Sequence, residues 1–555
     1  MTRTGAATPS PGLGRSSALL ASGTVVSRVL GFIKAIVLAQ TIGQTASASA
    51  DAFGIANTLP NNVYALVAGG ILGAVIVPQI VRSALHDDGG QRFVNKLLTL
   101  GLVVFLGITV LATVAAPVLV AIYTQQASDG GNGFTSEGLA LATAFAYWCL
   151  PQILFYAVYS LLGEVLNARH VFGPFAWAPV INNLVAIAGL VAFTVLFGGA
   201  EANSSLEVWT PDRIALLAGS ATLGIVAQAG VLAFFWRRTG LRFRPDFRWR
   251  GVGLGRTGKS AGWVFAMILV TQLSAIVQSQ VTSLATDEGA SIATSQNAWL
   301  IFILPHSVVA VSIATAFYTR MSTHASRGDI PAVRSDLSSA IRTIGLIITF
   351  ASAGLIVLAL PFARVFESDF GHVQAMAAVI IAYLVGLIPF SAVFVMQRAF
   401  YSLEDTRTVF FIELVKSALF VLGFLICTTL PVDLIAVGIA LVTSVAITCQ
   451  TVLTFLLLRR KIGPLGGRAI LRSHVQFVVA AIISACIGAG LLALLGGLHD
   501  GGFAVGSMPG ALVSMVVIGC VMGAAYAGLL TLMRNAELRA LLAVVLRRIR
   551  PGAAE

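Results

Sequence analysis

The chain has 555 residues, 57% of them hydrophobic and 10% charged, with a net charge of +12 and a mean hydropathy of +0.90. Soluble domains carry roughly 25% charged residues, so the composition excludes a water-soluble enzyme and predicts an all-α polytopic membrane protein. No basic domain with interleaved aromatics stands outside the apolar segments, which argues against nucleic-acid binding. Cys149, Cys427, Cys449, Cys486 and Cys520 lie in apolar segments without CxxC spacing. They read as buried thiols, neither a disulfide framework nor a metal site.

A bilayer core needs about 20 apolar residues per helix. In chain order, fourteen segments qualify: 17–42, 52–84, 97–123, 137–162, 172–198, 212–236, 256–285, 291–322, 334–361, 372–398, 408–430, 433–458, 470–496 and 508–534. The first contains SRVLGFIKAIVLAQTIG (27–43), in which Arg28 and Lys34 interrupt the apolar run. ASASA (46–50) looks like a cleavage site, but two cations and excess length argue for a retained helix over a signal peptide. Arg28 is about 16 Å past Ser17 at 1.5 Å per residue, near the midplane. A charge there costs at least ~2.5–3.5 kcal/mol unless it meets water or a partner. Lys34, about 12 Å from the outer end, has snorkelling as an alternative.

Asp51 at the edge of the second span is a candidate partner or a helix cap. Asn61 and Asn62 follow Pro60, and Asn182 and Asn183 follow Pro179 in the fifth span; either pair suits a kinked backbone or a cavity wall. His306 after Pro305 is ambiguous in the same way. In the eleventh span Glu413 and Lys416 are three apart on one face, which suits a gate, a coupling-ion site or a mutually neutralised pair.

Sidedness follows from the cations. With the N-terminus in the cytosol, the even-numbered connections with the span ends beside them, and both termini, carry 29 of the 35 Lys and Arg. The odd-numbered connections carry only Arg213 and Arg364, and Arg28, Lys34, Arg342 and Lys416 fall within spans. One missed helix would reverse every later loop, so both termini are expected in the cytosol. The connection 237–259 alone holds eight cations, which suits topology control or an anionic lipid contact.

An internal repeat is visible. AFGIANTLPNNVYALV (52–67) matches AWLIFILPHSVVAV (298–311), and AYWCLPQILFYAVYSLL (146–162) matches AYLVGLIPFSAVFVMQRAF (382–400). Six helices per copy predict two lobes of like orientation, related by a pseudo-two-fold axis along the membrane normal and enclosing a central cavity. The expected organisation is a cytosolic tail (1–16), an N-lobe (17–236), a basic linker (237–255), a C-lobe (256–458), two extra helices (459–534) and a basic tail (535–555).

Unpaired cations in a cavity imply an anionic, phosphate-bearing cargo. No Walker A, HExxH or useful GxSxG sequence is present, so a catalytic role, a cofactor and a metal are not expected. Energy would come from the membrane potential or a cation gradient.

SRVLGFIKAIVLAQTIG, ADAFGIANTLPN (50–61), VPQI (77–80), the stretch 146–184 and ILPHSVVAVSIATAFYTRMS (303–322) resemble the MviN/MurJ lipid II flippases. These belong to the multidrug/oligosaccharidyl-lipid/polysaccharide exporter (MOP) superfamily. The resemblance implies fourteen helices, a cationic central cavity, and a groove for the lipid tail built by helices 13 and 14. It makes Arg28 and Lys34 the diphosphate-binding residues, while Asp51, Asn61, Asn62, Tyr64, His306, Glu413 and Lys416 stand as cavity or gate candidates from the reading of the residues themselves. The chain departs from the family pattern in having Lys34 for an arginine, Ala35 for an acid, Tyr64 for a basic residue, Gly69 for a glutamate, and Trp299 and Leu300 where an arginine is usual. This marks a divergent, actinobacterial-type member, and no sodium site is assigned.

The expectation is a monomeric, multi-pass flippase of the bacterial cytoplasmic membrane. It would move undecaprenyl-diphosphate-linked peptidoglycan precursor outward by alternating access, in contact with membrane lipids and cell-wall synthesis proteins. The alternatives are an exporter of another polyprenyl-linked glycan and a non-transporting scaffold for cell-wall synthesis.

Overall fold

A computed structural model describes residues 11–71, 88, 90–127, 131–169, 171–248 and 258–549, and among them every regular element is helical. The end of the second expected span, the VPQI sequence and parts of both tails and of the basic linker lie outside these residues.

Long apolar runs form helices because lipid offers no partner for backbone N–H and C=O groups. In chain order these are α1 (Pro11–Ile42), α2 (Ala48–Ile71), α3 (Gln91–Val114, continued by Ala116–Tyr123), α4 (Ser136–Cys149 and Gln152–Ala168), α5 (Phe172–Phe197), α6 (Pro211–Phe235) and α7 (Gly258–Thr282). There follow α8 (Ile292–Ser326), α9 (Ile330–Val357, continued by Ala359–Phe366), α10 (Phe370–Leu384 and Leu387–Ser402), α11 (Thr406–Cys427), α12 (Val432–Ile462), α13 (Gly467–Leu494), α14 (Met508–Leu532) and α15 (Ala536–Ile549). Among the described residues thirteen helices are long and apolar enough to span a membrane. With α2, whose expected continuation is not described, they make up the fourteen expected spans.

The chain divides into two compact units. The first holds residues up to Gly43, Ala48–Asp129 and Phe134–Gln272; the second holds Gln44–Ser47, Gly130–Gly133 and Leu273 onward. In the first unit α5 packs between α1 and α6, α6 against α4, and α4 against α3 and α2. Glycine permits close approaches: a Cβ on Gly224 would collide with Asn182 of α5. In the second unit α9 is the hub for α8, α10 and α13, α10 packs on α12, and α13 pairs with α14. Tyr526 of α14 donates to the Leu346 carbonyl of α9 (2.8 Å). The turn 44–47 is held within the second unit, where Thr45 N donates to Glu367 Oε1 at 2.9 Å.

Three of the four repeated Leu-Pro and Ile-Pro signals go with a helix irregularity, whereas α2 runs through Pro60 unbroken. α4 breaks at Leu150–Pro151, α10 at Val385–Gly386, and α8 turns once as a π-helix over His306–Ala310 after Pro305. The freed carbonyls are satisfied in the same way in both units. Thr222 of α6 donates to Trp148 O (2.7 Å), and Ser444 of α12 donates to Ala382 O (2.7 Å).

The cysteine expectation needs correction. Cys149 and Cys427 are buried, but Cys449, Cys486 and Cys520 are exposed. In a membrane protein an apolar segment can turn a thiol outward to lipid as readily as inward.

Candidate functional site

Four cations lie within the spans read from the sequence and away from their ends, and their partners separate them. Arg342 of α9 pairs with Glu537 of α15 at 2.7 Å, and Ser473 of α13 donates to the same carboxylate. Lys416 of α11 pairs with Glu413, whose second oxygen accepts from Gln450 Nε2 at 2.9 Å. Lys416 also lies 5.2 Å from the Phe420 ring. Both cations are therefore neutralised in place, and the Glu413–Lys416 pair joins α11 to α12. By contrast, no carboxylate among the described residues lies in ion-pair range of Arg28 or Lys34.

Their placement follows from the packing of α1. Gly23, Ser27, Gly31, Ala35 and Ala39 repeat every four residues and form a small-residue stripe. Gly23 lies against Ala176 and Trp177 of α5, and Gly31 against Asn183. Ala35 and Ala39 are buried. Small residues let two helix backbones approach closely where lipid gives no hydrophobic drive to associate. Val25, Val26, Val29 and Ile33 form the exposed face. At about 100° per residue, Arg28 and Lys34 lie about 60° to either side of the stripe and some 120° from each other. Both are half-buried. They occupy the two borders between the packed stripe and the exposed face. Arg28 is about 26 Å from the start of α1 and about 21 Å from its end.

The Arg28 turn is held from outside. Asn183 Nδ2 of α5 donates to Ser27 O at 2.9 Å. Farther along, the Thr41 and Thr194 hydroxyls are 3.1 Å apart. Asn182 instead bonds Gln228 of α6 (3.0 Å). The sequence marked Asn183 only as a polar residue after a proline; its task is to fix α1 against α5 one residue before the cation.

The other candidates are distributed. Asp51 is fully buried in the first turn of α2. Asn61 is exposed. Asn62 bonds the Tyr123 hydroxyl, and its carbonyl accepts from Gln272 Nε2 at 2.9 Å. Tyr64 sits between the Phe105 and Tyr156 rings, each 5.8 Å away, and bonds Ser160. His306 is buried, with Nδ1 3.0 Å from Ser391 Oγ and its ring 4.4 Å from Phe390. It joins the π-turn of α8 to α10. Trp299 stacks on Phe302 at 4.6 Å and meets Tyr383 and Phe390. Aromatic clusters thus fill the neighbourhoods of Tyr64 and Trp299. One polar feature was missed: Gln91, Asn95 and Thr99 hold the segment after α6 against α3. Its signal was available in the spacing of four between those residues.

Comparisons with known proteins agree with this architecture. The family model described as lipid II flippase MurJ matches residues 38–514. A MurJ protein of Haemophilus influenzae is 26% identical over 413 residues, covering 69% of this chain and 75% of that one. One of Thermotoga maritima is 27% identical over 453 residues, covering 79% and 84%. Among solved structures, an inward closed conformation of lipid II flippase MurJ gives a TM-score of 0.68 at 19% identity, covering 92% of this chain and 98% of that chain. An inward-facing multidrug resistance MATE transporter of the MOP superfamily gives 0.59 at 16% identity, covering 79% and 95%. The chain is a multi-pass membrane transporter, not an enzyme, and belongs to the MurJ family of lipid II flippases, whose cargo ties it to peptidoglycan synthesis.

Proposed function

We propose that this chain moves an undecaprenyl-diphosphate-linked peptidoglycan precursor from the inner to the outer leaflet by alternating access, with both termini in the cytosol. Arg28 and Lys34 attract the diphosphate in a cationic cavity while the polyprenyl tail stays in lipid along α13 and α14. The observation that carries this reading is the contrast among the in-span cations: Arg342 and Lys416 have carboxylate partners, and Arg28 and Lys34 have none among the described residues. An uncompensated charge at that depth is costly, and a bound diphosphate would offset the cost. Arg supplies a planar fork to phosphate oxygens and Lys a mobile point charge. The membrane potential supplies about 2.3 kcal/mol per anionic charge moved outward per 100 mV, so no cofactor is required.

A second reading, export of a different polyprenyl-linked glycan, is favoured by the aromatic residues Tyr64 and Trp299 where the family pattern is cationic. Depletion in the native host, with lipid II sidedness read by an external enzyme, tests both. Inner-leaflet accumulation reversed by the wild-type chain but not by Arg28→Ala is the expected result. Unchanged sidedness, in a host without a second flippase, would overturn the first reading.

A further inference from the structure

We infer that the first unit holds one anionic phospholipid at a site between α3, α4, α6 and the segment that follows α6. That segment is not a loose linker. It leaves α6 through Gly240, in the left-handed region at φ 75°, and then runs without regular structure along α3. The backbone N–H groups of Arg242, Arg244 and Asp246 donate to Gln91 Oε1 (2.9 Å), Asn95 Oδ1 (3.2 Å) and Thr99 Oγ1 (2.9 Å). Two residues of extended chain advance about 6.6 Å and four residues of helix about 6.0 Å. The two periods agree closely enough to keep three rungs in step.

Cations line this stretch of chain, in the turn that closes α6 and in the docked segment. Arg237, Arg238, Arg242, Arg244 and Arg248 are exposed, and among the described residues none of them pairs with a carboxylate. Next to the row lies a pocket of about 270 Å³. Its walls include Leu98 and Leu102 of α3, Leu161 of α4, and Ala233 and Trp236 at the end of α6, with Phe243 of the docked segment. The Trp236 indole N–H is buried and meets no acceptor among the described residues. An unmet buried donor in an apolar wall is left with its desolvation cost uncompensated.

An apolar pocket, one unmet donor and a row of arginines together match an amphiphile. One acyl chain fills the pocket, an ester carbonyl accepts from Trp236, and a headgroup phosphate meets the guanidinium groups. The volume lies just below the ~300–1,000 Å³ of small-molecule pockets and takes part of a single chain. A sugar or nucleotide would find no polar wall. A neutral lipid would leave the cations unused, and a free phosphate ester would leave the pocket and the indole unused. The inference needs only that the chain spans a membrane; it does not depend on the cargo.

Native mass spectrometry of the full-length chain in detergent tests it, with phosphatidylglycerol and phosphatidylethanolamine of identical acyl chains. One phosphatidylglycerol should be retained at an about tenfold lower lipid concentration, a difference of about 1.4 kcal/mol. Ala233→Trp fills the pocket from an exposed position and should abolish that preference without lowering the Tm. Should that variant unfold early, Trp236→Phe decides, since it removes the donor with little change in shape and should weaken retention of phosphatidylglycerol several-fold. Arg242→Gln with Arg244→Gln should make the two lipids equal. Equal retention by the wild-type chain, unchanged retention in these variants, or displacement by soluble glycerol phosphate would overturn the inference.

Discussion

Replacing Arg28 by Met should stabilise the fold while stopping transport. No described carboxylate compensates Arg28, so its removal breaks no internal ion pair. An unpartnered charge near the middle of a membrane helix costs at least ~2.5–3.5 kcal/mol, and the half-buried setting of Arg28 reduces the recoverable part to about 1–2 kcal/mol. The matched control is Arg342→Met, which strands Glu537, 8% exposed at its side chain. Breaking a buried pair from one side costs about 3–5 kcal/mol. Thermal unfolding of the purified variants in one detergent reads both effects, and they should have opposite signs. Lipid II translocation should fail in Arg28→Met and serves as the functional arm. If Arg28→Met lowers the Tm as far as Arg342→Met does, Arg28 is a structural residue and the reasoning from uncompensated charge is wrong.

Lys34→Arg should keep translocation and Lys34→Gln should reduce it about tenfold or more, in line with the loss of one charge-assisted contact to phosphate; equal activity of all three would remove Lys34 from the site. Lys416→Met should cost about 3–5 kcal/mol, whereas Glu413→Gln combined with Lys416→Met should be near neutral in both Tm and transport. Lost transport in the stable double variant would make the pair a gate or an ion site. Between α10 and α11, Asp405 is partly desolvated, which alone would raise its pKa. The bond from Lys461, the Thr408 N–H (3.0 Å) and the Thr408 hydroxyl (2.8 Å) outweigh this, and the carboxyl lies below its usual range. The stability it contributes is thus fully present above the unfolded carboxylate pKa of about 3.9 and is lost as pH falls through the lower folded value. Asp405→Asn should flatten the acid limb of the Tm–pH curve below about pH 4; an unaltered limb would refute the assignment.

The spans were legible because membrane thickness sets a minimum apolar length, and the helix ends fall within a few residues of the segments read from the sequence. The breaks were legible from proline, though displaced. Pro389 carries no N–H and crowds the carbonyl four residues back, so α10 breaks at Val385–Gly386 and not at the proline itself. At the site, the Glu413–Lys416 pair could be anticipated because three residues along a helix is a local distance. The partner of Arg342 could not, because Glu537 lies 195 positions away. The roles of His306 and Asn183 were hidden for the same reason, since Ser391 and Ser27 are 85 and 156 positions from them. A polar residue after a membrane proline fits a kink or a cavity equally well until its long-range neighbour is known.

The bond between Asn183 and Ser27 also has a consequence for biosynthesis. At about 5–20 residues per second, α5 emerges roughly 8–30 s after the Arg28 turn has been made. During that interval the small-residue stripe of α1 has no α5 to lie against, and Arg28 and Lys34 border an uncovered face. α1 is therefore a poor candidate for independent insertion, and its final seating waits on α5.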